Sequence, residues 1–202
     1  MTNKIDSFTN DNWFLSNFSP AEVEYEGVNY PTTEHAFQAA KTLDKDERKE
    51  FLKNKDPGHA KKLGRKVQIR SDWIDIRKYI MLDLLRQKFA NDPLKTQLLD
   101  TGDIELIEGN WWGDTYWGVC KGIGENMLGK LLMKVRDELR GTEEISDKII
   151  KMATKIVKEN ICNMYEEVGP DVCHSCDCGR LFHSCRKHWE AKELLRWVNL
   201  KV

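Results

Sequence analysis

The sequence is first informative through what it lacks. No apolar run approaches the ~20 residues that a membrane-spanning helix needs, which excludes a helical span. The first residues, Met1-Thr2-Asn3-Lys4-Ile5-Asp6, have no apolar core of the kind a secretion signal requires, so a soluble, cytoplasmic protein is expected. Neither charge is in excess: 32 Lys and Arg face 33 Asp and Glu, for a formal net charge of −1. Nothing global therefore marks a polyanion binder, although a local basic groove stays open. There is no internal repeat and no low-complexity segment, which sets aside solenoids and linker-rich chains.

What remains is a chain of 202 residues, enough for one domain with its own core plus an appendage of a few dozen residues. The expected class is α+β and mainly helical, with a small β element. The main domain should span residues 1–141 and a C-terminal extension residues 142–202. Val23, Tyr25, Val28 and Tyr30 alternate around Glu26-Gly27, as a short hairpin would. Helices are expected over Asp46 to Asn54, with Phe51 and Leu52 as anchors, and after Asp56-Pro57, where Asp caps and Pro takes the first turn. The longest begins at Ser71 or Asp72, with Ile76, Ile80, Leu84 and Lys88 on one stripe and Trp73, Arg77 and Met81 on the next. Asp92-Pro93 opens another that stops at Gly102, followed by a strand near Ile104 to Glu108. Leu128, Leu131, Leu132 and Val135 mark one more helix, broken at Gly141-Thr142, and Ser146 starts the next.

Two stretches carry chemistry. In Tyr30 to Leu43, Glu34, Gln38 and Lys41 fall at i, i+4 and i+7, so a carboxylate, an amide and an amine share one stripe of a short helix. The plain alternative is a surface helix whose Glu34–Lys41 ion pair contributes about 0–1 kcal/mol. The second stretch, Gly109 to Gly124, sets five glycines among Trp111, Trp112, Tyr116 and Trp117. Rings that stack on a base, with glycine backbone free to approach polar atoms, suit a nucleobase or ribose. Asp114, Thr115 and Asn126 can supply hydrogen bonds. Gly122-Ile123-Gly124 before a helix has the look of a phosphate-cradling turn, but the third glycine and the βαβ unit of a dinucleotide fingerprint are missing.

Phe14-Leu15-Ser16-Asn17-Phe18, Tyr30-Pro31-Thr32-Thr33-Glu34-His35 with Gln38 and Lys41, Leu63-Gly64-Arg65, Trp73, Asp114-x-x-Trp117-Gly118 and Gly122-x-Gly124-x-Asn126-x-Leu128-Gly129 follow in order. Together they resemble the NADAR (YbiA-like) family over about residues 8–140. The resemblance implies a mainly helical domain that breaks a ribose C1′–N bond. Its members remove ADP-ribose from modified guanine or act on riboflavin-synthesis intermediates. It further implies Glu34, Lys41 and Asp114 as catalytic residues and Asn17, Phe18, Arg65, Trp73, Trp117, Gly118 and Asn126 as pocket residues, with an ADP-ribose conjugate, free or on DNA or RNA, as partner and no catalytic cofactor. In this scheme Lys41 is the nucleophile, through a Schiff-base-type intermediate, and needs desolvation to be unprotonated near neutrality. One departure stands out: Val119-Cys120 occupies the place where Asp-Gly often follows Trp-Gly. A non-catalytic ADP-ribose or NAD-binding module is the alternative from another class.

Of six cysteines, Cys120 and Cys162 stand alone and read as small buried apolar residues. The other four cluster with His174, His183 and His188. Cys173-x-x-Cys176 and Cys185-x-x-His188 have the spacing of a small structural zinc knuckle, with Cys178 and His183 as alternates.

Overall fold

The protein is described by a computed structural model over residues 4–168. It divides into two compact units, residues 1–139 and 140–202. Three small two-stranded sheets frame the first unit. β1 (Lys4–Ile5) pairs in parallel with β4 (Glu105–Leu106), β2 (Pro20–Tyr25) pairs antiparallel with β3 (Val28–Thr32), and β5 (Gly109–Asn110) pairs in parallel with β6 (Val119–Cys120). The expected hairpin is present. Glu26 and Gly27 turn it with φ of 48° and 80°, a conformation that suits glycine and that a two-residue hairpin turn demands.

A 3-10 helix, Asn10–Leu15, precedes the hairpin. The hairpin leads into α1 (Thr33–Ala39), followed by α2 (Lys45–Glu50), α3 (Pro57–Leu63), α4 (Trp73–Lys88), α5 (Leu94–Asp100) and α6 (Met127–Val168). Asp44 caps α2 through the amides of Asp46 and Glu47, and Asp56 caps α3 through those of Gly58 and His59. Asp72 precedes α4 without capping it, because its carboxylate is held by Arg70 at 2.6 Å. Gly102, at φ 57°, ends α5 as expected.

The core gathers Leu84, Leu85 and Phe89 from α4 and the chain after it, Leu98 from α5, Leu106 from β4, and Leu128, Leu132 and Val135 from α6 around α1. Each fully buried leucine of this kind contributes about 1.5–3 kcal/mol. Phe51 joins this core, but Leu52 does not: it lies exposed, so α2 has one anchor and not two. α4 is tied to the hairpin by Gln87, whose amide accepts from Glu24 N at 2.7 Å and donates to Glu24 O at 3.1 Å, standing in for a missing strand.

Gly141 does not break α6, which runs on through it. A single glycine costs only about 1 kcal/mol relative to alanine, and Glu138, Leu139, Arg140, Glu143 and Glu144 around it are good helix formers. No helix among the described residues is long and apolar enough to cross a membrane.

Candidate active site

Every residue of α1 is buried, which removes the reading of a solvated surface helix. Thr32 caps it by accepting from His35 N at 3.3 Å, and the same hydroxyl meets His35 Nδ1 at 2.8 Å. His35 Nε2 lies 2.9 Å from the Asn54 carbonyl, an acceptor only, so Nε2 carries the proton and Thr32 donates to Nδ1. The helix entry is thus fixed. Asn17 O accepts the Glu34 amide at 3.1 Å and ties the loop before the hairpin to the same turn.

Glu34 is 5% exposed and accepts from Gln38 Nε2 at 2.8 Å. Burial pushes its carboxyl above the usual range, opposed by Lys61, the Gln38 amide and Lys41, while Asp114 pushes it further up. Lys41 lies just past the helix end and is half-buried. Its Nζ faces the Gly64 carbonyl at 3.4 Å and lies 5.9 Å from the centre of the Trp73 ring. Burial lowers its pKa, Lys61 and Arg65 lower it further, and Glu34 alone raises it. No direct ion pair joins Glu34 to Lys41 among the described residues, so the pair is not the simple surface bridge that the stripe permits.

Gly64 allows this approach. A Cβ there would fall 1.9 Å from Gln38 Oε1, so any side chain would push Gln38 off Glu34. Arg65, the next residue, is exposed and reaches the site through its charge. Aromatic rings wall the other side. Phe37 packs against Trp73 at 4.9 Å and edge-on to Trp117 at 5.2 Å, and Trp117 meets Tyr116 at 5.0 Å, on which the Arg77 guanidinium stacks at 3.6 Å. Lys61 extends from α3 with its amine 5.7 Å from the Phe18 ring and 5.3 Å from the Trp112 ring.

The Gly109 to Gly124 loop is closed by Asn126. Its Oδ1 accepts from Glu108 N at 3.0 Å and its Nδ2 donates to Leu106 O at 2.8 Å. Expected as a pocket residue, Asn126 thus uses both ends of its amide on the backbone and acts by positioning. Asp114 has a turn-forming role too: its Oδ1 accepts from Tyr116 N at 3.1 Å and Trp117 N at 2.9 Å, aiming the Trp117 ring. Gly118 is buried where a Cβ would sit 2.2 Å from the Glu108 carbonyl. Val119 and Cys120, at the family's usual Asp-Gly place, are half-buried in β6. The turn at Gly122 to Gly124 stops short of α6, with Ile123 hydrogen-bonded back onto Cys120.

Residues 5–140 match the family model described as the NADAR domain. The chain belongs to the NADAR family. It is 42% identical over 131 residues to a riboflavin biosynthesis protein of Vibrio vulnificus, covering 63% of this chain and 35% of that protein, so it spans about a third of that relative's length. It is 36% identical over 137 residues to the N-glycosidase YbiA of Escherichia coli, covering 66% of this chain and 85% of that protein. The NMR structure of the Escherichia coli protein YbiA superposes with a TM-score of 0.63 at 33% identity, covering 71% of this chain and 89% of that one. The mainly helical NADAR fold is therefore shared.

Two residues of this NADAR site carry no signal in the sequence. Lys61 sits among other lysines of an amphipathic helix, and Glu108 reads as the end of a strand. Structure brings both to Glu34 and Asp114: Glu108 feels Asp114, Lys61 and Glu34, and is pushed up to about 7, first by burial. No group of three or more His, Cys, Asp or Glu among the described residues is placed to hold a metal. The expected zinc ligands Cys173, Cys176, Cys185 and His188 lie outside the described residues.

Proposed function

We propose that the protein is an N-glycosidase that releases ADP-ribose from ADP-ribosylated guanine, carried on DNA or RNA or as a free nucleotide. The observation that carries this reading is Lys41: an amine partly removed from water, lowered below its ordinary pKa, beside a buried carboxyl and at the edge of an aromatic wall. An unprotonated amine can attack C1′ while the C1′–N pair leaves with the base. Opening of the C1′–O4′ bond then gives an iminium to Lys41, the amine proton passing to O4′, and water adds to C1′ to free the lysine. Glu34 and Asp114 carry protons in these steps. The rings of Trp117 and Trp112 offer apolar surface to a purine, and Lys61 offers a cation to a phosphate.

A second reading is hydrolysis of a phosphorylated riboflavin-synthesis intermediate, favoured by the likeness to the Vibrio vulnificus riboflavin biosynthesis protein. It uses the same bond and the same groups. Incubation with an oligonucleotide bearing ADP-ribosylated guanosine, followed by mass spectrometry, should show free ADP-ribose and the restored base. No release from the oligonucleotide alongside consumption of a flavin-pathway intermediate would replace the first reading by the second. Lys41→Ala should bind ADP-ribose without turnover, and borohydride should trap ADP-ribose on the wild type alone.

For the C-terminal Cys/His segment the proposal is a structural zinc ion, supported by ligand spacing. About one zinc per chain in the purified protein is the expected outcome, and its absence would remove the proposal.

A further inference from the structure

We infer that Glu108 is the acid that protonates the departing base, a third working carboxyl beside Glu34 and Asp114. The inference rests on the N-glycosidase reading and adds a residue to it. Both backbone groups of Glu108 are bonded. Its N–H donates to Asn126 Oδ1 at 3.0 Å, its carbonyl accepts from Val119 N at 2.8 Å, and Gly118 passes so close to that carbonyl that no side chain fits. Its backbone position is therefore set by the fold rather than by the substrate.

The carboxyl itself is in an unusual state. Oε2 is sealed from solvent with no hydrogen-bond partner. Buried polar atoms almost always have one, and a buried carboxylate with no donor is costly as an anion. As a neutral acid the same group carries a proton to give. Burial, Asp114 and Glu34 all favour that neutral form, and Lys61 alone opposes it.

The contrast with Glu34 divides the labour. Burial raises both carboxyls, but their partners differ: Glu34 receives the Gln38 amide on Oε1 and faces Lys61 and Lys41, which oppose that rise. Glu108 has neither amide nor bonded cation. Of the two, Glu108 is the one with no donor to hold an anion, which suits it to giving a proton away. In the step, the C1′–N bond breaks and its electron pair stays on the base, which takes the Glu108 proton. The resulting carboxylate is reprotonated from the water that later adds to C1′.

Glu108→Gln keeps shape and removes the proton. On the guanosine-linked substrate, kcat should fall roughly 10²-fold or more while ADP-ribose affinity and KM stay near wild type. The wild-type profile of log kcat should fall above pH ~7, where the acid is lost, and that limb should be absent from the residual activity of the variant. A purely structural Glu108 would leave the limb in place. Thermal melting checks the fold: because a buried acid that must ionise destabilises, Glu108→Gln should melt higher than wild type at pH 8 and not at pH 4.5. A variant with kcat within threefold of wild type, or with an unchanged alkaline limb, would overturn the inference while leaving the N-glycosidase reading intact. A wild type inactive on both the guanosine-linked and the flavin-pathway substrates would overturn the parent reading, and the inference with it.

Discussion

Gly64→Ala makes a sharp test of how α3 serves α1. Gly64 has an ordinary helical φ of −64°, so alanine brings no backbone strain there. Everything follows from space. The new methyl would lie 1.9 Å from Gln38 Oε1, 2.8 Å from its Cδ and 3.0 Å from its Cβ. The amide end can rotate away, but the Cβ contact reaches the root of a side chain that is itself buried. Overpacking of this kind costs about 1–3 kcal/mol, and a buried hydrogen-bonding group left without its partner about 1–3 kcal/mol. Since one side-chain movement causes both, they should not add in full, and about 2–4 kcal/mol is expected. At roughly 2–4 °C per kcal/mol for a chain of this size, the melting temperature should drop by roughly 5–15 °C.

Gly141→Ala is the matched control. It lies in helix, with nothing within 4 Å of its would-be Cβ, and should stabilise by about 0.4–1 kcal/mol. Activity gives a second readout. The Gln38 amide favours ionised Glu34, so its displacement raises that carboxyl further, and the acid limb of kcat/KM should move to higher pH. Equal melting of the two alanine variants, or an unmoved acid limb in Gly64→Ala, would refute the packing argument.

Three other outcomes are expected. Asp114→Asn keeps an oxygen for the Tyr116 and Trp117 amides and should lose turnover with little loss of stability. Asp114→Ala should in addition lose about 0.5–2 kcal/mol of turn stability, as calorimetry would show. Lys88, 3% exposed, donates to Ser16 O at 2.6 Å and Ser19 Oγ at 2.7 Å, and burial lowers it to about 7. The unfolded chain, with lysine near 10.5, then binds the extra proton between these values, so stability should rise with pH from about 7 to 10. Lys88→Met should flatten that rise in melts across the window. Trp112→Ala, 51% exposed beside Lys61, should raise KM for the nucleotide substrate and leave kcat nearly unchanged.

The parts legible in the sequence are those whose cause is local. Asp56-Pro57 caps its own helix, Glu26-Gly27 turns its own hairpin, and Gly102 stops the helix just before it. The parts missed depend on partners far along the chain. β4 finds its parallel mate at Lys4–Ile5, about a hundred residues away, and no periodicity announces that. The stripe of Glu34, Gln38 and Lys41 is real, but its burial comes from α3, α4 and the wall of rings. Glu108 becomes chemically unusual because the fold closes its Oε2 off from solvent without a partner, while Asn126 and Gly118 hold its backbone. Asn126, singled out as a pocket residue, and Asp114, singled out as catalytic, hold backbone groups, a duty that residue type alone does not distinguish from work on a ligand. Gly141 failed as a stop because good helix formers on both sides outweigh one glycine.

Asn126 also has an evolutionary consequence. By clamping both ends of the Gly109 to Gly124 loop, together with the bonds from Leu128 N to Trp117 O and Val119 N to Glu108 O, it isolates the loop's tip from its base. Trp111 (85% exposed), Trp112 and Gly113 can therefore be exchanged as a cassette, while the acids at the neck keep their places. A scaffold arranged this way can sample new substrates by changing three residues, with the bond-breaking machinery inherited unchanged.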